Sequence, residues 1–196
     1  MWCDNCAGQN KNRIVLMVLI YAVVNNLVDN INLKFLVSGH SYMPCDRDFG
    51  IIEKRKKVSN PMIPDEIAEM ITEAKNVQPF NVVKMTEEDF YDFASVCDTL
   101  LHTSPIKISS ASWIRISRDK LPIIEIKNAF NEMEAWRNHN IFMKIKSVKN
   151  ISAIHSLPPI GRRPIISEAK KKYLLSMLQF MDIKYHAFYR HLCTPE

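Results

Sequence analysis

Residues 14–24 read "IVLMVLIYAVV", eleven apolar side chains in succession. The run is too short to cross a bilayer, which takes about 20 apolar residues. Lys11 and Arg13 precede it as the charged start of a signal peptide would, but Asn25 and Asn26 follow with no small-x-small cleavage pattern. The plainer reading is a helix over residues 9–26, apolar nearly all round. Such a helix is stable in water only when buried, so the rest of the chain must build a core around it.

At 196 residues, 47% apolar and 24% charged, the chain is long enough to do so. The formal charge of +5 admits a polyanionic partner such as DNA without requiring one. Five cysteines, Cys3, Cys6, Cys45, Cys97 and Cys193, are odd in number and irregular in spacing. They argue against a disulfide framework and for a reducing, intracellular compartment. Nothing in the hydropathy pattern implies a membrane span.

The pattern around the apolar run predicts an α/β order. Residues 1–4 read as the end of a strand. "NLKFLVS", residues 32–38, alternates Leu33, Phe35 and Val37 against Lys34 and reads as a second strand, ended by Gly39. The two strands joined by a helix form a parallel crossover, whose functional groups gather at the carboxyl ends of the strands. Asp46 is expected to cap a helix over 47–57. A helix over 64–75, a strand over 80–85 and a helix over 86–101 opened by Thr86 and Asp89 follow. Beyond residue 105, "IKISSASWIRIS" and "LPIIEIKNAF" alternate as isoleucine-rich strands about an Asp119-Lys120 turn. A proline-rich connector over 155–166, a helix capped by Ser167 and a last helical segment over 183–192 complete the chain.

Three sets of residues carry chemistry on this reading. Asp4 and Asp46, helped by Asp48 or Glu53, could hold Mg²⁺ at the sheet edge, or Asp46 is an N-cap and Glu53 a solvated charge. Asn5, Gln9, Asn10, Lys11 and Asn12 could bind phosphate at a helix N-terminus or satisfy its free N–H groups. Cys3, Cys6, His40 and Cys45 carry an incomplete zinc spacing, with buried free cysteine as the default. His40 fits phosphate positioning, proton transfer or a strand-end hydrogen bond. The run Glu53, Lys54, Arg55, Lys56, Lys57 fits a phosphate-contacting face, a nuclear address or solvated helix surface.

"DNCAGQNKNR" with its apolar helix, then "LKFLVSGHSYMPCDRDFGIIEKRKK", resembles the catalytic-core half of a transposase-like domain of transposon-derived animal proteins. "PIISEAKKKYLLSMLQF" and "YHAFYRHL" resemble that family's C-terminal end. The resemblance implies the C-terminal part of an RNase H-like fold, with an incomplete sheet, over 1–104, and a mixed α+β tail of strands then helices over 105–196. It implies a DDE or DDD triad, with Asp4 matching the second acid and Asp46 the third, both as catalytic metal ligands. Asn5, Gln9, Asn10 and Lys11 match the amide-rich signature, and Gly39 and His40 the second motif. His40, Lys54, Arg55, Lys56 and Lys57 then join the amides as the nucleic-acid-binding set. Phe49 stands where a histidine is expected. The first acid is expected upstream of Met1, so the sheet would need an N-terminal part or another chain to complete it. The implied function is ancestral DNA cleavage with two Mg²⁺ ions, lost in the chain as encoded. The alternative is a non-catalytic nucleic-acid or protein-binding module built on the basic helix.

Overall fold

The computed structural model describes residues 1–37, 39, 42–101, 106–141, 154, 157–160 and 165–194. It has a mixed α/β architecture of two compact units, each assembled from two segments. Met1–Ser41 and Glu87–Gly161 form the first, Tyr42–Thr86 and Arg162–Glu196 the second. Each unit thus takes chain from both sides of residue 104.

The first unit is a five-stranded sheet in the order β1-β2-β3-β4-β5: Trp2–Cys3, Asn30–Phe35, Trp113–Ser117, Ile123–Lys127 and Arg137–Asn140. β1 and β2 are parallel and joined by helix α1, Arg13–Val24, as the crossover reading expects. The remaining pairs are antiparallel. Period-two alternation sends Leu33 and Phe35, Ile114 and Ile116, and Ile124 and Ile126 to one face. There they pack with Leu16, Met17, Ile20 and Val23 of α1 and with Cys97 and Leu100 of α4, Phe93–Leu100. The register places Leu33 opposite Ile114 and Ile114 opposite Ile126, so the apolar rows run unbroken across three strands.

Helix α1 is not buried all round. Ile14 and Val18, one turn apart, are 42% and 40% exposed, while Met17 and Ile20 are fully enclosed. It also starts four residues later than the pattern suggests. The Asn12 side chain accepts the N–H groups of Ile14 and Val15, both at 2.9 Å, and fixes the first turn there.

Other boundaries moved for identifiable reasons. β2 ends at Phe35, short of Gly39, whose φ of +81° belongs to the left-handed region. The helix expected over 86–101 is interrupted. A 3-10 turn, Glu87–Asp89, gives way to an extended stretch that bridges Tyr91 to Pro159, and α4 begins only after Asp92 accepts Ser95 N–H at 3.0 Å. Residues 108–110 form a 3-10 turn rather than the start of β3. The strand expected over 80–85 is absent: those residues pair with no described strand, and Val83 and Met85 stay exposed. β5, "RNHN", carries no apolar alternation from which a strand would be expected.

The second unit is helical: α2, Pro44–Lys56; α3, Pro64–Glu73; α5, Glu168–Met177; and α6, His186–Cys193. α2 begins at Pro44, where proline's fixed φ suits the first turn, so Asp46 lies inside the helix and is not its N-cap. Arg55 of α2 meets Glu73 of α3 at 2.7 Å. Ser167 caps α5 as expected, its hydroxyl accepting Lys170 N–H at 3.4 Å. No described helix is long and apolar enough to cross a membrane.

The packing of α1 makes a direct prediction. Met17→Ala leaves a cavity between helix and sheet and should cost about 2–5 kcal/mol in urea unfolding. Val18→Ala should stay within about 0.5 kcal/mol. Equal losses at the two positions would contradict a helix buried on one side only.

Candidate functional site

Because β1 and β2 are parallel, their carboxyl ends share one sheet edge. Cys3 pairs with Phe35, and Leu36 N–H donates to Cys3 C=O at 2.9 Å. Asp4 leaves β1 at that edge, half-buried. The loop after it folds back on the carboxylate. Asp4 Oδ1 accepts Cys6 N–H at 3.1 Å and also the side-chain amide of Asn10. Gln9 and Asn10 N–H both turn onto Cys6 C=O, at 3.2 and 2.8 Å.

The polar residues ahead of the helix are therefore largely committed to one another. Asn10 holds Asp4. Asn12 caps α1 and donates its amide to Gln9 C=O at 2.9 Å. Lys11 turns inward and is only 8% exposed. Its ammonium donates to Ser109 C=O at 3.3 Å and lies 4.7 Å from the centre of the Phe35 ring. Burial lowers its pKa from the usual lysine value. Asn5 is half-buried, and Gln9 is exposed. His40 lies outside the described residues.

Asp46 belongs to the second unit. It occupies the third position of α2, where its Oδ2 accepts Met43 N–H at 2.7 Å. Glu53 reaches Lys56 at 3.8 Å. Asp48 encloses one carboxylate oxygen, Oδ1, that takes no hydrogen bond from a described residue. Among the described residues no three His, Cys, Asp or Glu side chains gather to hold a metal ion. Cys3 is partly buried against the core, while Cys6 and Cys45 are exposed free thiols.

The basic stretch fares differently. Lys54, Arg55, Lys56 and Lys57 are all exposed at the end of α2, a helix with no buried residue. Arg55 and Lys56 are ion-paired to Glu73 and Glu53. Lys54 and Lys57 have no carboxylate partner among the described residues.

A second constellation lies on the sheet face opposite α1. Trp2 pairs with Lys34, Lys34 with Trp113, and Trp113 with Lys127, one residue from each of four neighbouring strands. Over this row fold Phe130 and Trp136, from the β4–β5 connection. Phe130 lies 5.6 Å from Trp2 and 6.3 Å from Trp113, and Trp136 stands edge-on to Trp113 at 4.9 Å. Lys34 lies 4.1 Å from the Trp113 ring centre, and Arg115 lies 4.1 Å from that of Trp136. Such contacts contribute about 0.5–1 kcal/mol each at exposed sites. The alternation "WIRI" carried the signal: with both isoleucines inward, tryptophan and arginine must share the other face.

Glu134 ties this connection down. Its carboxylate accepts Asn128 N–H at 3.0 Å and Ala129 N–H at 2.7 Å. The Asn128 N–H, foremost, holds its pKa below the ordinary glutamate value. The stabilisation is present above that ordinary value, about 4.3, and is lost as pH falls through the depressed one.

Two measurements test these assignments. Asp4→Ala strips the Cys6 and Asn10 donors of their acceptor and should cost about 1–3 kcal/mol, with Asp4→Asn costing less because an amide oxygen can still accept. Equal loss in both variants would show that the loop does not depend on an acceptor at Asp4. Separately, tryptophan emission should change on acidification below about pH 4.3, and Glu134→Gln should remove that step. An unchanged profile in the variant would exclude Glu134 as the anchor.

No curated protein and no solved structure matches the chain. The profile of one family, described as a domain of unknown function, DUF7869, matches residues 1–132. That stretch runs from β1 through β4 of the sheet and takes in α2 and α3, two thirds of the 196 residues, so the chain belongs to the DUF7869 family.

Proposed function

We propose that this chain descends from an RNase H-like, DDE-type transposase and that it now binds DNA without cutting it. The reading is supported by the sequence motifs around Asp4 and Asp46 and by the parallel crossover that carries Asp4 at the carboxyl end of β1. In the ancestral enzyme two Mg²⁺ ions would serve strand cleavage.

The residues of this chain do not fit that ion. Mg²⁺ demands several oxygen donors in near-octahedral array. Asp4 Oδ1 is already occupied by two donors of its own loop, and Asp46 Oδ2 by Met43 N–H. No described trio of acids, histidines or cysteines supplements them. No cleavage step is therefore assigned to this chain.

The binding surface we assign is α2. A helix that buries none of its residues and ends on exposed Lys54 to Lys57 contributes little to a core, and Lys54 and Lys57, without a carboxylate partner among the described residues, suit phosphate. A nuclear protein would meet DNA there. β1 is the outermost strand, and the backbone groups of Trp2 alternate away from those that bond β2. That edge is where a preceding segment or another chain would add the strand an RNase H-like sheet requires.

Plasmid nicking and duplex binding separate the parts of this proposal. The full chain should not nick supercoiled DNA in Mg²⁺ or Mn²⁺. It should bind duplex without metal, and Lys54→Gln with Lys57→Gln should flatten the salt dependence by about 1.8 in log–log slope, 0.9 per phosphate contact. Metal-dependent nicking lost in Asp4→Asn would overturn the non-cleaving assignment. Duplex binding indifferent to both lysines would overturn α2 as the surface.

A further inference from the structure

We infer that the open face of the sheet is a binding platform for single-stranded nucleic acid, separate from α2 and independent of Asp4 and Asp46. The face of an antiparallel sheet turned away from its core is ordinarily polar. Here it holds all three tryptophans of the chain, with a phenylalanine laid over them. The row Trp2, Lys34, Trp113, Lys127 alternates ring and cation across four strands, about 14 Å from end to end at ordinary strand spacing. Its β4 end is covered, Lys127 being 7% exposed and donating to Asn131 C=O at 3.3 Å, so the part open to a ligand is the Trp2, Lys34, Phe130 end.

The arrangement is not a closed cluster. Trp2 is 51% exposed and Phe130 40% exposed, so each offers ring surface to solvent. Beneath them, Lys34 faces the Trp2 and Trp113 rings at 5.2 and 4.1 Å and has no carboxylate partner among the described residues. Two of the acids nearby are occupied, and a third, Glu132, stands exposed in the β4–β5 connection. Glu125 pairs with Lys120 at 2.9 Å and Arg115 at 3.7 Å, and Glu134 accepts two backbone N–H groups. The net charge offered to a ligand is positive.

Stacking rings interleaved with cations match one occupant in both of its parts. An unpaired base has a π-face for Trp2 or Phe130, and its phosphate takes the lysine away from the rings. A duplex hides its base faces in its own stack and is excluded. An apolar protein partner would bury Lys34 without neutralising it. Two exposed rings accommodate about two bases, as on other aromatic sheet platforms. Stacking does not distinguish DNA from RNA, so both are tested.

Fluorescein-labelled dT12 and U12 are titrated into the full chain without divalent metal, reading anisotropy and intrinsic tryptophan emission together. Every tryptophan sits on this face, so emission reports on it alone. Saturable quenching in step with anisotropy is expected for one or both strands, while duplex, held on α2, should leave the tryptophan emission nearly unchanged. Trp2→Ala should weaken binding about tenfold to a hundredfold, from a stacking loss of about 1–3 kcal/mol per base. Trp2→Phe should restore most of it, which a merely disordered edge would not do. Lys34→Gln should lower the salt slope by about 0.7. Lys54→Gln with Lys57→Gln should leave the quenching intact, so failure of the α2 surface is read separately. No single-strand binding, single-strand binding with unchanged emission, or duplex that quenches the tryptophans as strongly in the Lys54→Gln, Lys57→Gln variant would each overturn the platform.

Discussion

The burial of α1 against the sheet sets the rest of the first unit. A helix with six buried apolar side chains cannot be left in water, and each contributes about 1.5–3 kcal/mol when enclosed. The surface that receives it must be apolar and broad, which the Leu33–Ile114–Ile126 row provides. A helix packed there between two strands makes those strands parallel neighbours. That geometry puts the end of β1 beside the end of β2 and brings Asp4 to the sheet edge.

What Asp4 does at the edge is decided by its neighbours. A carboxylate accepting Cys6 N–H and the Asn10 amide organises the turn into α1. Asn12 then fixes the first helical turn, and Lys11 pins the segment to Ser109. The same residue types that would cradle a phosphate instead form an internal network around a helix start. The two surfaces proposed for binding, the end of α2 and the ring-and-cation face of the sheet, instead hold lysines without a carboxylate partner among the described residues.

The crossover, the two isoleucine-rich strands, the turn at Asp119-Lys120 and the Ser167 cap were readable because each rests on local alternation or on one capping side chain. What escaped depended on distant chain. The break before α4 arises from pairing of Tyr91 with Pro159, 68 positions away, which no window of residues 86–101 contains. β5 has amides and charges where a strand signal would be apolar, and its place comes from hydrogen bonding to β4. Asp46 looked like a cap because aspartate favours that position; Pro44 claimed the first turn and moved it inward. The aromatic face was present in the sequence as the alternate residues of strands already identified. Its signal lies in the half of the alternation that points away from the core.

The interleaving of the two units has a temporal consequence. Tyr185 donates its hydroxyl to Glu66 at 2.8 Å across 119 positions, and Tyr189 donates to Met62 C=O across 127. At a synthesis rate of about 5–20 residues per second, α3 waits roughly 6–24 s for these tyrosines to be made. β1 and β2 are made before α3, and β3 to β5 are complete by residue 140, while the second unit still holds only α2 and α3. The order of emergence from the ribosome therefore favours the sheet folding first, with the helical unit closing only when the last segment of the chain arrives.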